Sequence, residues 1–293
     1  MADRTASEQI ARDNRRILAL LRQYLVYRPT FIQKDMLDAL CESGVGRETA
    51  YALLLASAMG LDMDAPSDKA FYHAYFPAML HHLRPADYMQ NPYYRAIRLP
   101  EAQSGGITLR YDAYAGFEAF VCDDILSLPD GRQIPQIGYF NEAFPYPAIL
   151  ENGRLWMSVT PNEINTMADV IAQAKGRVLT FGLGLGYFAY MASLRPEVTR
   201  VTVVEQNPSV IALFQAHILP QFSQGGKLNI VQDDAFAYAQ AHYPKEEHDF
   251  IFTDLWHDAG DGLPLYTRMK QLEALAPAAV HAYWIEKTMA CYL

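Results

Sequence analysis

The chain has 293 residues, of which 51% are apolar and 19% charged, so it is globular and long enough for two domains with sizeable cores. A net charge of −9 argues against the broad basic surface on which phosphate-backbone binding depends, and we expect no nucleic acid partner. Three scattered cysteines, a charged N-terminal segment and the lack of an apolar stretch long enough for a bilayer predict a cytoplasmic protein that does not enter the membrane.

The first hundred residues are predicted to be helical. Thr5 and Glu8 have the spacing of a capping box, and apolar residues then recur at helical intervals up to the first proline. Two further helices are predicted over 30–42 and 47–59, each followed by a glycine that suits a helix C-terminus. Helices joined by short turns could read DNA, but the acidic balance favours a helical cap or a dimerisation domain, so a homodimer is one expected state.

Three histidines in the segment 71–83, His73, His81 and His82, could be mistaken for a metal site. The adjacent pair would point apart on a helix, and no carboxylate joins them at ligand spacing. We therefore interpret them as surface or packing residues.

Residues 101–158 have the composition of strands. The stretch that begins at Ile107 predicts one or two strands, prolines interrupt 135–147, and Asn152-Gly153 predicts the turn of a hairpin. Pro161 at a first helical position and Glu163 in the first turn then predict a helix that continues to residue 174.

The segment 177–207 has the pattern of strand, glycine turn, helix and strand. Glycines let a backbone turn sharply and approach a ligand, and the N-terminus of the following helix would point its N–H groups at that ligand. An acid about 20 positions later commonly holds ribose hydroxyls. The sequence therefore predicts a nucleoside site, with a turn that binds nothing as the alternative; its candidate residues are Gly182, Gly184, Gly186, Tyr187, Glu205 and Gln206.

The spacing of the glycines selects among nucleosides. A dinucleotide fingerprint needs G-x-G-x-x-G, whereas this chain has G-x-G-x-G with Tyr187 in the place of the dinucleotide glycine, which favours S-adenosylmethionine over NAD. Here the sequence resembles the class I S-adenosylmethionine-dependent methyltransferases, whose first motif is similar to VLTFGLGLGYF. Those enzymes usually carry an acid where Thr180 stands; the related polyamine synthases also lack it, so the resemblance is to the spermidine synthase-like branch.

The order of a β hairpin, a helix and a nucleoside-binding domain is also similar to that of spermidine synthases, but pocket residues differ. Trp156 stands where their glutamine touches the adenosyl ligand. Asn162, Glu163 and Thr166 stand where those enzymes have Asp, Glu and Tyr, and GLGLG replaces G-G-G-D-G. These departures count against polyamine chemistry and leave the architecture unchanged.

Downstream acids complete the predicted site. The resemblance implies that Asp234, with Asp233 and Ala235, contacts the adenine; capping of the next helix by Asp234 is a compatible alternative. A fourth strand ends at Asp254, and the carboxyl ends of parallel strands share one crevice. The resemblance implies that Asp254 orients or deprotonates the acceptor, and His257 is a second candidate base with a surface position as its alternative.

The C-terminal segment allows two further expectations. Asp254, Asp258 and Asp261 have the composition of a magnesium site, but the segment fits a flexible turn equally well, and we predict no metal. A fifth strand is expected at 280–286, and few residues follow it. We therefore expect a sheet with fewer strands than the usual seven, and an edge covered by the β region, the helical domain or another subunit.

Together these patterns predict an α/β protein. Residues 159–293 would form a Rossmann-like, doubly wound, mostly parallel sheet of the class I methyltransferase type, shortened at its C-terminal side, after a helical domain at 1–100 and a hairpin region at 101–158. The expected cofactor is S-adenosylmethionine, and the first hypothesis is methyl transfer to a small-molecule acceptor. Aminopropyl transfer is the second hypothesis, and a non-catalytic nucleoside-binding protein is the third.

Overall fold

The computed structural model describes residues 2–293, with side chains from residue 6 onward. The side chain of Thr5 is outside this set, so the predicted capping pair lies outside the described residues. The helices are α1 (Ala2–Tyr27), α2 (Lys34–Glu42), α3 (Arg47–Ala58), α4 (Pro66–Met79), α5 (Pro85–Met89), α6 (Pro92–Ala96), α7 (Pro161–Gln173), α8 (Tyr187–Leu194), α9 (Pro208–Leu213), α10 (Ala235–His242), α11 (Ala259–Leu272) and α12 (Glu286–Ala290).

The strands form three sheets. They are β1 (Leu80–His82), β2 (Ala102–Ser104), β3 (Ile107–Tyr114), β4 (Phe120–Ser127), β5 (Gln133–Tyr139), β6 (Phe144–Glu151), β7 (Arg154–Ser158), β8 (Gly176–Phe181), β9 (Val198–Glu205), β10 (Leu228–Gln232), β11 (Phe250–Thr253) and β12 (Val280–Tyr283). The strand orders are β1-β5-β4, β2-β3-β6-β7 and β10-β9-β8-β11-β12.

The chain folds as two compact units, each built from two segments. The first unit comprises Met1–Asp87 and Ala113–Pro145, and the second comprises Tyr88–Asp112 and Tyr146–Leu293. The boundaries predicted near residues 100 and 158 both fall inside the second unit. Pairing between strands that are distant in sequence brings the early segment into that unit, because β2 and β3 share a sheet with β6 and β7.

The first unit has a helical and aromatic core. Ile17, Leu21 and Tyr24 recur at helical spacing on α1 and are buried, as expected for an amphipathic helix. The ring of Tyr51 stacks on that of Tyr139 with centroids 3.7 Å apart. The two helices predicted after α1 are confirmed as α2 and α3, although α2 begins four residues later than predicted.

His81 and His82 lie on strand β1, not on a helix. The chain leaves α4 at Met79, and β1 pairs in parallel with β5. Nε2 of His81 lies 2.7 Å from Oε1 of Gln136, and the ring of His82 stacks on Tyr139 at 5.1 Å. These contacts make both histidines packing residues.

Strand β5 continues through Pro135, one of the prolines that the sequence places in the β region at 135–147. The pairing of β4 with β5 shifts register between Asp123 and Leu126, opposite Pro135. Proline has no N–H to donate to a ladder, and a bulge accommodates the missing bond. Strand β6 likewise continues through its two prolines.

The hairpin predicted at Asn152-Gly153 is confirmed as β6–β7, which pair antiparallel. Both turn residues have positive φ, 51° for Asn152 and 80° for Gly153. Asparagine and glycine are the residues that tolerate this conformation in tight hairpins. The hairpin lies at one end of the four-stranded sheet, which belongs mainly to the second unit.

The second unit is organised by a five-stranded parallel sheet, and the chain therefore has an α/β fold. Its central strands are buried and mostly apolar, with Val178, Leu179 and Phe181 on β8 and Val201 and Val203 on β9 almost fully buried. Such burial is typical of parallel strands covered by helices on both faces. The sheet has five strands, as the predicted shortening requires. What covers its edge stays a prediction.

The strand order creates a crevice. The chain moves outward from β8 through β9 to β10 and then continues on the other side of β8 with β11 and β12. In open parallel sheets, ligands bind outside the carboxyl ends of the strands at such a reversal.

Among the helices of residues 2–293, none is both long and apolar enough to cross a membrane.

Candidate functional site

The glycine loop begins where β8 ends. Gly182 has φ of +94°, and a Cβ at this position would overlap the backbone oxygen of Asp254. Its N–H donates to the carbonyl of Val204 at 3.0 Å. Only glycine satisfies both the backbone conformation and the close approach of the loop after β11.

Glu205, at the end of β9, anchors this loop. Its Oε2 accepts from the backbone N–H of Leu183 at 3.1 Å, and its Oε1 accepts from the N–H of Asn207 at 2.8 Å. The side chain is buried, yet it lines a cavity. The structure therefore gives Glu205 a role in loop position that the sequence did not predict, alongside its predicted place at the site.

A cavity of about 300 Å³ opens at the carboxyl ends of the parallel strands. It brings together nine of the predicted site residues: Gly182, Gly184, Glu205, Gln206, Asp233, Asp234, Ala235, Asp254 and His257. The remaining lining residues are Trp156, Met157, Val204, Phe236, Leu255, Trp256, Leu265 and Arg268.

Gly186 and Tyr187 do not line this cavity. Gly186 is the N-cap of α8, and the space where its side chain would be is taken by Phe214. Tyr187 is buried, and its hydroxyl accepts from Nδ2 of Asn91 at 3.0 Å. Its ring packs edge-on against Tyr93, and burial raises its pKa to about 12. In this structure both residues contribute to packing.

Asp234 has the capping role that the sequence allowed. Its Oδ1 accepts from the N–H groups of Phe236 and Ala237 at 3.0 and 2.9 Å, which fixes the start of α10. Both bonds use the same oxygen, so Oδ2 stays available to the cavity. Asp233 supports this arrangement, because its Oδ1 accepts from the N–H of Asp234 at 2.8 Å.

Asp254 is paired electrostatically with a buried glutamate, Glu163. Glu163 lies in the first turn of α7 and is 8% exposed, and its Oε2 has no hydrogen-bond partner within the described chain. Burial, and then the charge of Asp254, raise the pKa of Glu163 well above its usual range. Burial also raises the pKa of Asp254 to about 7. Two carboxyl groups are thus held where their charged forms are costly.

Trp256 contributes a second buried polar atom without a partner. The side chain is 5% exposed and lines the cavity, and its Nε1 makes no hydrogen bond to any described residue. Its ring packs edge-on against Tyr266 at 6.2 Å. A buried donor and the buried acceptor of Glu163 are unusual in a folded protein, and such groups commonly mark sites that bind a ligand or water.

The segment considered for magnesium instead caps a helix. Oδ1 of Asp258 accepts from the N–H of Asp261 at 3.3 Å, and Oδ1 of Asp261 accepts from the N–H of Asp258 at 3.0 Å. These reciprocal bonds form a capping box at the start of α11. Among the side chains that the structure describes, from residue 6 onward, no three potential ligands of the His, Cys, Asp or Glu type are grouped for a metal.

One wall of the cavity was only partly visible in the sequence. The hairpin strand β7 supplies Trp156 and Met157, and Sδ of Met157 accepts from the N–H of Leu185 at 3.1 Å. The guanidinium of Arg268 lies 3.8 Å from the ring centroid of Phe236. The sequence contained a signal for Trp156, because it stands where the spermidine synthases have the glutamine that touches the adenosyl ligand. No local pattern on α11 predicted that Arg268 would line the cavity.

The fold and the cavity define an α/β protein with a ligand-sized site at the carboxyl edge of a parallel sheet. No protein-family model matches the chain, and no curated protein matches it. Among solved structures, it is similar to a precorrin 8W decarboxylase of Methanobacterium thermoautotrophicum, with 17% identity, a TM-score of 0.31 and coverage of 42% of this chain and 61% of that chain.

A second structural match is a conserved hypothetical protein of Streptococcus pyogenes. It has 18% identity, a TM-score of 0.31 and coverage of 37% of this chain and 64% of that chain. This chain therefore spans less than two thirds of the length of both structures. Neither match defines an activity for it.

Proposed function

We propose that this protein is an S-adenosylmethionine-dependent methyltransferase that acts on a small-molecule acceptor. The observation that carries the proposal is the convergence of the Gly182 loop, Glu205, Asp234 and Asp254, from the ends of four neighbouring parallel strands, on one cavity. The order of these strands is that of doubly wound nucleotide-binding sheets. It supports the Rossmann-like methyltransferase architecture that the glycine motif predicts.

The chemistry of the lining fits this cofactor. Glu205 would accept hydrogen bonds from ribose hydroxyls, and Asp234 with the start of α10 would hold the adenine. Carboxyl groups of Glu205, Asp233, Asp234 and Asp254 surround the cavity, which suits a cationic sulfonium. When bound, S-adenosylmethionine would supply an activated methyl group. Asp254 would orient the acceptor, and the aromatic walls would exclude water.

Calorimetric titration tests the proposal directly. We expect purified protein to bind S-adenosylmethionine and S-adenosylhomocysteine and not NAD. Glu205→Gln removes the charge and keeps the size, and we expect it to weaken binding about tenfold or more, since a hydrogen bond to a charged group contributes about 1.5–3 kcal/mol. NAD preferred over both adenosyl ligands, or no binding of any of them, would overturn the proposal.

Asn207→Ala is the matched control. Asn207 follows Glu205 closely, caps α9 through Oδ1 at 2.9 Å from the N–H of Ser209, and does not line the cavity. Its loss should cost about 1 kcal/mol of stability. Affinity should stay the same, which separates general destabilisation from loss of ligand contacts.

A second candidate function, transfer of an aminopropyl group to an amine, is favoured by the carboxyl pair of Glu163 and Asp254. A cationic amine would stabilise the charged forms of both groups. Decarboxylated S-adenosylmethionine would then bind more tightly than the methyl donor. The products also differ, because methyl transfer leaves S-adenosylhomocysteine and aminopropyl transfer leaves methylthioadenosine.

A further inference from the structure

His257 and Asp261 form a hydrogen-bonded pair beside the cavity. Oδ2 of Asp261 lies 2.7 Å from Nδ1 of His257. The other oxygen, Oδ1, accepts from the backbone N–H groups of His257 and Asp258 at 3.1 and 3.0 Å. Oδ2 also accepts from the backbone N–H of His257 at 3.3 Å, so backbone groups fix the carboxylate while Oδ2 meets the imidazole.

This arrangement sets the tautomer of the imidazole. Burial acts to raise the pKa of Asp261, but hydrogen bonds from the His257 side chain and from the N–H groups of Asp258 and His257 lower it overall. A charged carboxylate can only accept, so Nδ1 of His257 must carry the hydrogen. Nε2 is then the basic nitrogen of the ring, and it makes no hydrogen bond to any residue that the structure describes.

The imidazole member of this pair lies at the cavity. His257 lines it together with Asp254, and its ring centroid lies 6.4 Å from that of Trp156. About half of the His257 side chain is exposed, at 51%, so the ring is open to a ligand in the cavity.

We propose that His257 accepts the proton of the acceptor at Nε2 and that Asp261 is the positioning residue that holds the imidazole for this step. The proposal rests on the proposed function and deepens it. It names the substrate class as an acceptor that still carries a proton when it meets the methyl group, namely an amine or a hydroxyl compound. Asp254 then orients the acceptor and does not need to take the proton.

The step is balanced in atoms and electrons. The acceptor atom uses a lone pair to form its bond to the methyl carbon, and the electron pair of the broken carbon–sulfur bond goes to sulfur. The acceptor's bond to hydrogen breaks, its electron pair stays on the acceptor atom, and the proton binds Nε2 of His257. Asp261 stabilises the resulting imidazolium through its hydrogen bond to Nδ1.

A second pair in the same chain shows that this geometry alone does not make a site. His242 and Glu246 have the same four-residue spacing, and the same 2.7 Å separates Nδ1 from the carboxylate. His242 does not line the cavity, and its ring stacks on Tyr238 at 4.1 Å. This pair is therefore an internal control for any measurement on His257.

Nitrogen NMR of the labelled histidine rings tests the proposal on the full chain. Two probes are compared: S-adenosylhomocysteine, and sinefungin, which carries an amine where the sulfonium methyl group would be. We expect the ring nitrogens of His257 to have different chemical shifts in the two complexes, and those of His242 to be the same in both. This comparison uses the unaltered protein, so it does not depend on a variant that folds.

Asp261→Asn tests the positioning role. The amide oxygen can keep the backbone contacts of Oδ1, while the amide NH₂ would donate to Nδ1 and move the ring hydrogen to Nε2. We expect the nitrogen chemical shifts to report this reversed tautomer at His257, with affinity for S-adenosylhomocysteine changed by no more than about twofold. Glu246→Gln should reverse only His242.

The outcomes separate this proposal from the proposed function. If both probes bind and the His257 nitrogens are identical in the two complexes, or if Asp261→Asn leaves the tautomer unchanged, the proton-accepting pair is wrong and the methyltransferase proposal stands. If calorimetry shows that neither probe binds, the methyltransferase proposal is wrong, and the proton-accepting role of His257 is wrong with it.

Discussion

The carboxylate of Glu205 accepts a hydrogen bond from the backbone N–H of Leu183 at 3.1 Å, which ties the end of β9 to the glycine loop after β8. The same side chain lines the cavity. Loop geometry and ligand chemistry therefore depend on one residue, and a variant at this position must be measured for both.

Glu205→Ala should destabilise the protein more than Glu205→Gln. Alanine leaves the N–H groups of Leu183 and Asn207 without their partner, at a cost of about 1–3 kcal/mol, whereas glutamine can retain one of the two bonds. Urea unfolding measures both free energies. Equal stability of the two variants would show that the loop does not depend on this side chain.

Gly182→Ala should be more damaging than Gly153→Ala. Both glycines have positive φ, +94° and +80°, but a Cβ at Gly182 meets the Asp254 backbone, whereas nothing lies within 4 Å of one at Gly153. We expect about 1 kcal/mol for Gly153→Ala, from the conformation alone, and at least about 3 kcal/mol for Gly182→Ala. Thermal unfolding measures the loss of stability in each variant. Equal losses would contradict the close approach of the Gly182 loop to the backbone of Asp254.

Glu163→Gln should change how stability depends on pH. The folded state holds protons on Glu163 and Asp254 that the unfolded chain releases near pH 4, so the free energy of unfolding should fall as pH rises from about 4 to about 7. Glutamine removes the ionisable group of Glu163, whose pKa is raised by burial and by the charge of Asp254. At pH 8 we expect the variant to have a higher free energy of unfolding than the wild type. Each unit by which the pKa of Glu163 in the folded state exceeds its value in the unfolded chain corresponds to about 1.4 kcal/mol.

Urea unfolding of the wild type and Glu163→Gln across pH 4–9 measures this effect. Glu151 is exposed on β6, so Glu151→Gln is the control and should leave the pH profile unchanged. A profile for Glu163→Gln that matches the wild type would mean that the buried pair does not determine stability in this range.

Tryptophan fluorescence should report filling of the cavity. The chain has three tryptophans, and Trp156 and Trp256 line the cavity, whereas Trp284 is buried with its Nε1 donating to Thr166 at 2.9 Å. We expect S-adenosylhomocysteine to change the emission, and Trp156→Phe and Trp256→Phe each to reduce that change. Trp284→Phe should leave it intact; if it alone removes the change, the ligand binds elsewhere.

Local patterns predicted the elements of the second unit well. The helix at Tyr187, the strand ending at Glu205, the Asn-Gly hairpin and the reduced number of strands depend on interactions between near neighbours, and each is present. Residues 80–82 depart from the helical expectation because they pair with β5, a strand distant in sequence. Helical periodicity does not reveal that His81 will pair with Gln136, 55 residues away.

The candidate site was also predictable from the sequence only in part. The sequence by itself determined which acids would follow the parallel strands, because a strand's apolar run and the polar residue that ends it are adjacent in the chain. Only the tertiary structure decided that Glu163 would be buried near the charge of Asp254, that Tyr187 would pack away from the cavity, and that Arg268 would line it. Burial and the electrostatic effect of one carboxyl group on another arise from segments that meet only in the folded chain, so no spacing along the sequence encodes them.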